Sequence, residues 1–141
     1  MQEIGQHKKI EVRRSPLHGW GVFALEDIPS GEWIETAPGI KIPYEILNAC
    51  YYIVMADGIH PSELQLDQYG MGWPNEKVCI PLGWIGLYNH SDEHSAEYYH
   101  NHGVDTVSVR SIRDISAGEE ITVYYGRDWW TRKSYLQKNE P

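Results

Sequence analysis

Three groups of residues in this 141-residue chain have types and spacings that could do chemistry. His90-Ser91-Asp92-Glu93-His94 has the H-x-x-E-H spacing of an inverted zinc-peptidase motif, with His100 and His102 close by. Such a site needs its two histidines on one face of a helix. Asn, His, Ser and Asp are poor helix formers, no apolar stripe here would dock a helix, and no sustained second helix follows to supply a third ligand. Gly19-x-Gly21-x-x-Ala24 satisfies the dinucleotide-binding pattern, which works only between a buried strand and a helix. Arg13-Arg14-Ser15-Pro16 precedes it and Glu26-Asp27-Ile28-Pro29-Ser30-Gly31 follows, so a helix has no room. A glycine pair in a turn between strands, admitting close backbone approach, fits better. Asn89 offers a carboxamide that can donate and accept at once, and Tyr124-Tyr125 close a β-branched run.

The elements that must position these residues are short and β-like. Residues 10–14 alternate apolar and charged, 21–25 form a compact apolar run, and 33–42 alternate around Pro38-Gly39. Residues 104–112 alternate most cleanly, through Val107 and Val109, and 120–125 are rich in β-branched and aromatic types. Turns are marked at Pro29-Ser30-Gly31, Pro81-Leu82-Gly83 and Ser116-Ala117-Gly118. Only 44–49, after Pro43, and the tail from Asp128 read as helical. Many short strands without repeat or linker predict a mainly β fold of several small sheets with short helices.

Composition narrows the partners. A chain of this length is most simply one domain, removing about two-thirds of its unfolded surface from water. Six Trp and ten Tyr against a single Phe favour large side chains with polar tips, suited to pockets as well as cores. The net charge of -8 argues against direct nucleic-acid binding and favours a cationic partner. Cys50 and Cys79 cannot build a disulfide framework or a zinc cluster, which suggests a reducing compartment. Residues 1–12 show no signal peptide, and the richest apolar stretch, 79–88, is too short and broken to span a bilayer. The expectation is a soluble, intracellular protein, cytoplasmic or nuclear, with no membrane contact and no bound metal; a homodimer is compatible with it.

Taken in order, Gly19-Trp20-Gly21-Val22-Phe23-Ala24, Leu87-Tyr88-Asn89-His90-Ser91 and Gly118-Glu119-Glu120-Ile121-Thr122-Val123-Tyr124-Tyr125-Gly126 resemble the SET-domain protein-lysine methyltransferases. The resemblance implies a SET-type fold with a threaded C-terminal segment, and one domain over 1–141 with a motif core at about 13–130 and a closing segment at 126–141. It implies methyl transfer from S-adenosyl-L-methionine to the ε-amine of a lysine in a basic protein or peptide, histones included. Gly19, Trp20 and Gly21 inherit the approach to the donor's methionine portion. Asn89 inherits its amino group, and His90 the adenine edge through its backbone. Tyr125 inherits the methyl-transfer point. Trp129 is a candidate cover for the adenine, and Trp130, Tyr52 and Tyr88 for the lysine channel. Val123, two before the terminal tyrosine, is expected to help set how many methyls are added.

The chain departs from the family in four places. Asp92 stands where the family has Cys, His94-Ser95 where it has Pro-Asn, and Tyr124 where it has Asp. No cysteine-rich zinc segment follows the last motif, which suggests a small stand-alone member. These departures keep open an alternative, a SET-like module that binds peptide or cofactor without turnover; a zinc peptidase through His90, Glu93 and His94 is a third.

Overall fold

The computed structural model describes residues 3–6, 9–47, 49, 58 and 70–125. Among the described residues ten strands run β1 (Gly5–Gln6), β2 (Ile10–Arg14), β3 (Trp20–Ala24), β4 (Trp33–Pro43), β5 (Met71–Trp73), β6 (Lys77–Pro81), β7 (Asn89–His90), β8 (Ala96–Asn101), β9 (Thr106–Ser111) and β10 (Glu120–Val123). A 3-10 turn at Ile85–Leu87 precedes β7, and residues 44–47 are helical. The fold is mainly β with small sheets and a short helix, as expected of the SET type. The closing segment, expected to be threaded, lies outside the described residues.

The chain divides into two compact units, Met1–Gly39 with Pro81–Tyr124, and Ile40–Ile80 with Tyr125–Pro141. In the first, one sheet has the order β2-β3-β10-β7. β2 and β3 form an antiparallel pair from Ile10↔Ala24 to Arg14↔Trp20, and β10 lies antiparallel to β3 through Glu120↔Phe23 and Ile121↔Val22. On its other side β10 pairs with β7 in parallel, Thr122 opposite Asn89 and Val123 opposite His90. Val22, Ile121 and Val123 are fully buried at the centre of this sheet. In the same unit β9 lies between β4 and β8, antiparallel to both. In the second unit β5 and β6 form a hairpin from Met71↔Cys79 to Trp73↔Lys77.

The alternation of β9 predicts one solvated face, but Thr106, Val107, Ser108 and Val109 are all buried. Hydrogen bonds make this affordable. Ser108 shares one with Thr36 at 2.7 Å across β4, and Asn101 Nδ2 donates to both Thr106 Oγ1 and Ser108 Oγ at 3.0 Å from β8. Small hydroxyl residues can be interior when each finds a partner.

Candidate functional site

The region around Asn89 is built where β3, β7 and β10 meet. Asn89 is 6% exposed, and its Nδ2 donates to the backbone oxygens of His18 at 3.0 Å and Trp20 at 3.1 Å, and to Glu120 Oε1 at 2.8 Å. Two amide hydrogens are thus shared among three acceptors, which leaves only one orientation of the carboxamide. Oδ1 accepts no hydrogen bond from any described residue and is left as an acceptor.

Glu120 ties this amide to the preceding loop. Its Oε2 accepts from Ser15 Oγ at 2.8 Å, and Ser15 Oγ accepts in turn from the backbone of Leu17 at 2.9 Å and His18 at 3.4 Å. The backbone of Ser15 also donates to Gly19 O at 2.8 Å, closing the turn at 15–19. Gly21 is glycine because of this cluster. A Cβ at Gly21 would overlap Glu120 Oε1 and lie 3.1 Å from Asn89 Nδ2. Gly19 sits at φ 48°, and Trp20, half exposed, lies beneath the Arg14 guanidinium at 4.6 Å.

The turn after Asn89 straddles the end of β10. Ser91 N donates to Val123 O and Ser95 N to Thr122 O, each at 3.0 Å. Ser95 is fully buried, and its Oγ accepts from Thr122 N at 3.1 Å. Through these bonds the turn is held despite the departure from the family's Pro-Asn. His90 Nε2 lies 3.1 Å from Asp92 Oδ1. The rings of His90 and His94 flank Tyr124 at 5.0 and 5.7 Å, and Tyr124 is 46% exposed. His94 Nδ1 is buried without a hydrogen-bond partner. Residues 90–94 run from the end of β7 into a turn, so they do not form the helix that H-x-x-E-H requires. Among the described residues no group of three or more His, Cys, Asp or Glu could hold a metal ion.

The remaining predicted residues divide between buried and undescribed positions. Tyr88 is fully buried with its hydroxyl on Glu35 at 3.0 Å, and Val123 is fully buried in β10. Tyr125 is half-buried just past β10 and begins the second segment of the second unit. Tyr52, Trp129 and Trp130 lie outside the described residues, as does Cys50. Sequence reasoning passed over Ser15 and Glu35, noted Ser95 only as a departure from the family, and gave Glu120 no role of its own. Ser15 and Glu120 offered polarity beside or within the motifs, whereas nothing in the sequence marked Glu35 as interior.

The two-residue strand that carries Asn89 thus lies parallel to the strand that leads to the tyrosines. The SET domain family signature matches residues 19–126, and the chain belongs to the SET-domain family. A Schizosaccharomyces pombe histone-lysine N-methyltransferase, H3 lysine-37 specific, is 29% identical over 122 residues, covering 86% of this chain and 76% of the relative. A Chaetomium globosum histone-lysine N-methyltransferase, H3 lysine-4 specific, is 26% identical over 121 residues, which span 84% of this chain but 11% of that protein. A crystal structure from Plasmodium falciparum, described as that of a possible histone methyltransferase, superposes with a TM-score of 0.64 at 31% identity, covering 88% of this chain and 98% of the other. Membership supports S-adenosylmethionine-dependent methyl transfer to protein as the general activity.

Proposed function

We propose that this chain transfers a methyl group from S-adenosylmethionine to the ε-amine of a lysine in a basic protein segment, histones being the substrate class suggested by its relatives. The observation that carries the reading is the oriented Asn89 carboxamide. An ammonium only donates, and Asn89 presents an acceptor, Oδ1, with its donors already spent on protein groups. The methionine end of the donor carries such an ammonium, so the site fits that group. When bound, the donor supplies an activated methyl on a sulfonium sulfur.

The chain's own residues would then orient and desolvate. Displacement needs the amine, methyl carbon and sulfur on one axis at roughly 3 to 3.5 Å approach. Tyr125 is assigned to that geometry through its hydroxyl, since a phenol with an ordinary pKa near 10 is a poor base at neutral pH. Making a lysine amine neutral at pH 7 costs roughly 4.6 kcal/mol in water, and an aromatic, apolar channel lowers that cost by disfavouring the charged form. Trp129, Trp130 and Tyr52 are the candidates for its walls. Val123 has no hydroxyl and less bulk than Tyr or Phe, which favours dimethyl and trimethyl product. The net charge of -8 favours basic segments, and an intracellular setting agrees with that substrate class.

Chelator-treated protein incubated with labelled donor and a panel of basic and acidic peptides tests this reading. Lysine methylation of basic peptides that rises with pH across the neutral range is expected, and mass spectrometry should find dimethyl product. Donor binding without any transfer would favour the binding-module alternative, to which Tyr124, close to the rings of two histidines where the family has Asp, lends support. A site that appears only with added zinc would defeat both.

A further inference from the structure

Glu35 is a carboxyl group with 2% exposure inside the first unit, where an apolar side chain would avoid the cost of desolvation. Burial is the main influence on it and raises its pKa, against the lowering effect of hydrogen bonds from Trp84, Gln6 and Tyr88. Oε2 accepts from Trp84 N at 2.7 Å and Gln6 Nε2 at 3.1 Å, and Oε1 from the Tyr88 hydroxyl at 3.0 Å.

Two of these partners bracket one element. Trp84 and Tyr88 are the residues on either side of the 3-10 turn Ile85–Leu87, and that turn has no side-chain cap from its own N-terminal residue. One carboxyl group holds both of its ends. The next residue is Asn89. The chain is shaped to admit the clasp: Gly83 sits at φ 63°, and a Cβ there would overlap Glu35 Oε2. The register of β4 against β9 also shifts between Trp33 and Glu35, an irregularity of the kind that re-aims a side chain. Tyr88 itself is locked, with its ring edge-on to Tyr98 at 6.5 Å and the Tyr98 hydroxyl donating to Ile85 O at 2.8 Å.

We propose that Glu35, acting through the backbone N–H of Trp84 and the hydroxyl of Tyr88, is a positioning residue that sets where Asn89 enters β7 and thereby the affinity for the methyl donor. The proposal rests on the reading that Asn89 holds the donor. Glu35 touches neither donor nor lysine in this scheme and acts only through the turn.

Tyr88→Phe and Glu35→Gln test it, with Ile115→Val as a control for lost stability away from the turn. Three measurements are made: the Asn89 side-chain amide resonances in an NMR spectrum without donor, calorimetric Kd for S-adenosylmethionine, and steady-state kcat and KM. In Tyr88→Phe the Asn89 resonances should move, and Kd and KM for the donor should rise about ten-fold, the scale of one lost hydrogen bond to a charged group. In Glu35→Gln, at a residue that touches neither donor nor lysine, the kcat at saturating donor should stay within about three-fold. Should Glu35→Gln fail to fold, Tyr88→Phe alone still decides. Unmoved Asn89 resonances with parent Kd in Tyr88→Phe, or the same change in Kd in Ile115→Val, would reduce Glu35 to a packing role. Failure of the parent protein to bind donor would overturn the functional reading instead, while the resonances still report on the link from Glu35 to Asn89.

Discussion

Asn89 and Glu120 are 31 positions apart in sequence, yet Asn89 Nδ2 donates to Glu120 Oε1 at 2.8 Å across the parallel pair of β7 and β10. The contact spends the donor half of the carboxamide on the protein and leaves the acceptor half available. Glu120 receives Ser15 on its other oxygen, so one carboxylate couples the turn at 15–19 to the asparagine.

Glu120→Ala should weaken S-adenosylmethionine binding by about 1.5 to 3 kcal/mol, because the Asn89 amide loses its charged acceptor and is held only by the backbone oxygens of His18 and Trp20. Glu120→Gln should lie between the two, since its amide oxygen can still receive one of the two donors. Calorimetry decides; parent affinity in Glu120→Ala would mean that the orientation of Asn89 does not matter.

Gly21→Ala places a methyl group where Glu120 Oε1 now lies. Overpacking of this kind typically costs about 1 to 3 kcal/mol of stability. Donor binding should fall as well, because the carboxylate cannot withdraw without releasing both Asn89 and Ser15. Denaturant melts and calorimetry on one preparation separate the two losses. A variant with parent stability and parent affinity would place the carboxylate elsewhere in solution.

Tyr125→Phe should nearly abolish methyl transfer while leaving donor affinity close to that of the parent, since its hydroxyl is assigned to the reacting geometry and not to ground-state binding. Single-turnover mass spectrometry with a basic peptide reads this directly. Full activity in the variant would move the transfer point to another residue.

Stability should carry the signature of Glu35. Its pKa is raised in the folded protein, chiefly by burial, so the native state holds this proton more tightly than the unfolded chain does. The contribution is present below the unfolded carboxyl's pKa and is lost as pH rises through the raised value. Subtracting the Glu35→Gln stability curve from the parent curve isolates it, because surface carboxylates such as Glu119, lowered by its hydrogen bond to Arg113, are common to both. The difference should fall with rising pH; a difference that grows would assign Glu35 the opposite shift.

Strand-forming runs were legible because their signal is local. The expected strand at 10–14 coincides with β2, and those at 21–25, 33–42, 104–112 and 120–125 differ from β3, β4, β9 and β10 only at their ends. β8 escaped notice because Ala96–Asn101 has no apolar alternation: it carries Glu, Tyr, His and Asn and is held by pairing with β9 along its whole length. β7 is two residues long and exists only because β10 lies beside it. At the site, Asn89 stood out by its motif. Glu35 did not, since its position in an alternating run predicts an outward-facing charge, and its partners Gln6, Trp84 and Tyr88 lie 29 to 53 positions away. Periodicity records which face a residue occupies, but carries no record of what a buried polar group finds there.

The place of β10 in its sheet has a consequence for synthesis. β10 lies between β3 and β7, yet among the described strands it leaves the ribosome last. The β2-β3 hairpin is local and can form early. Glu120 can join the Asn89 amide only after pairings that span about a hundred residues have closed, and such non-local closures are slow. Until then the apolar edge of β3, with Val22 and Phe23, stands open, so a nascent chain paused before Glu120 is a natural client for chaperones, and a ligand that binds at Asn89 can act on the chain only after that final strand is in place.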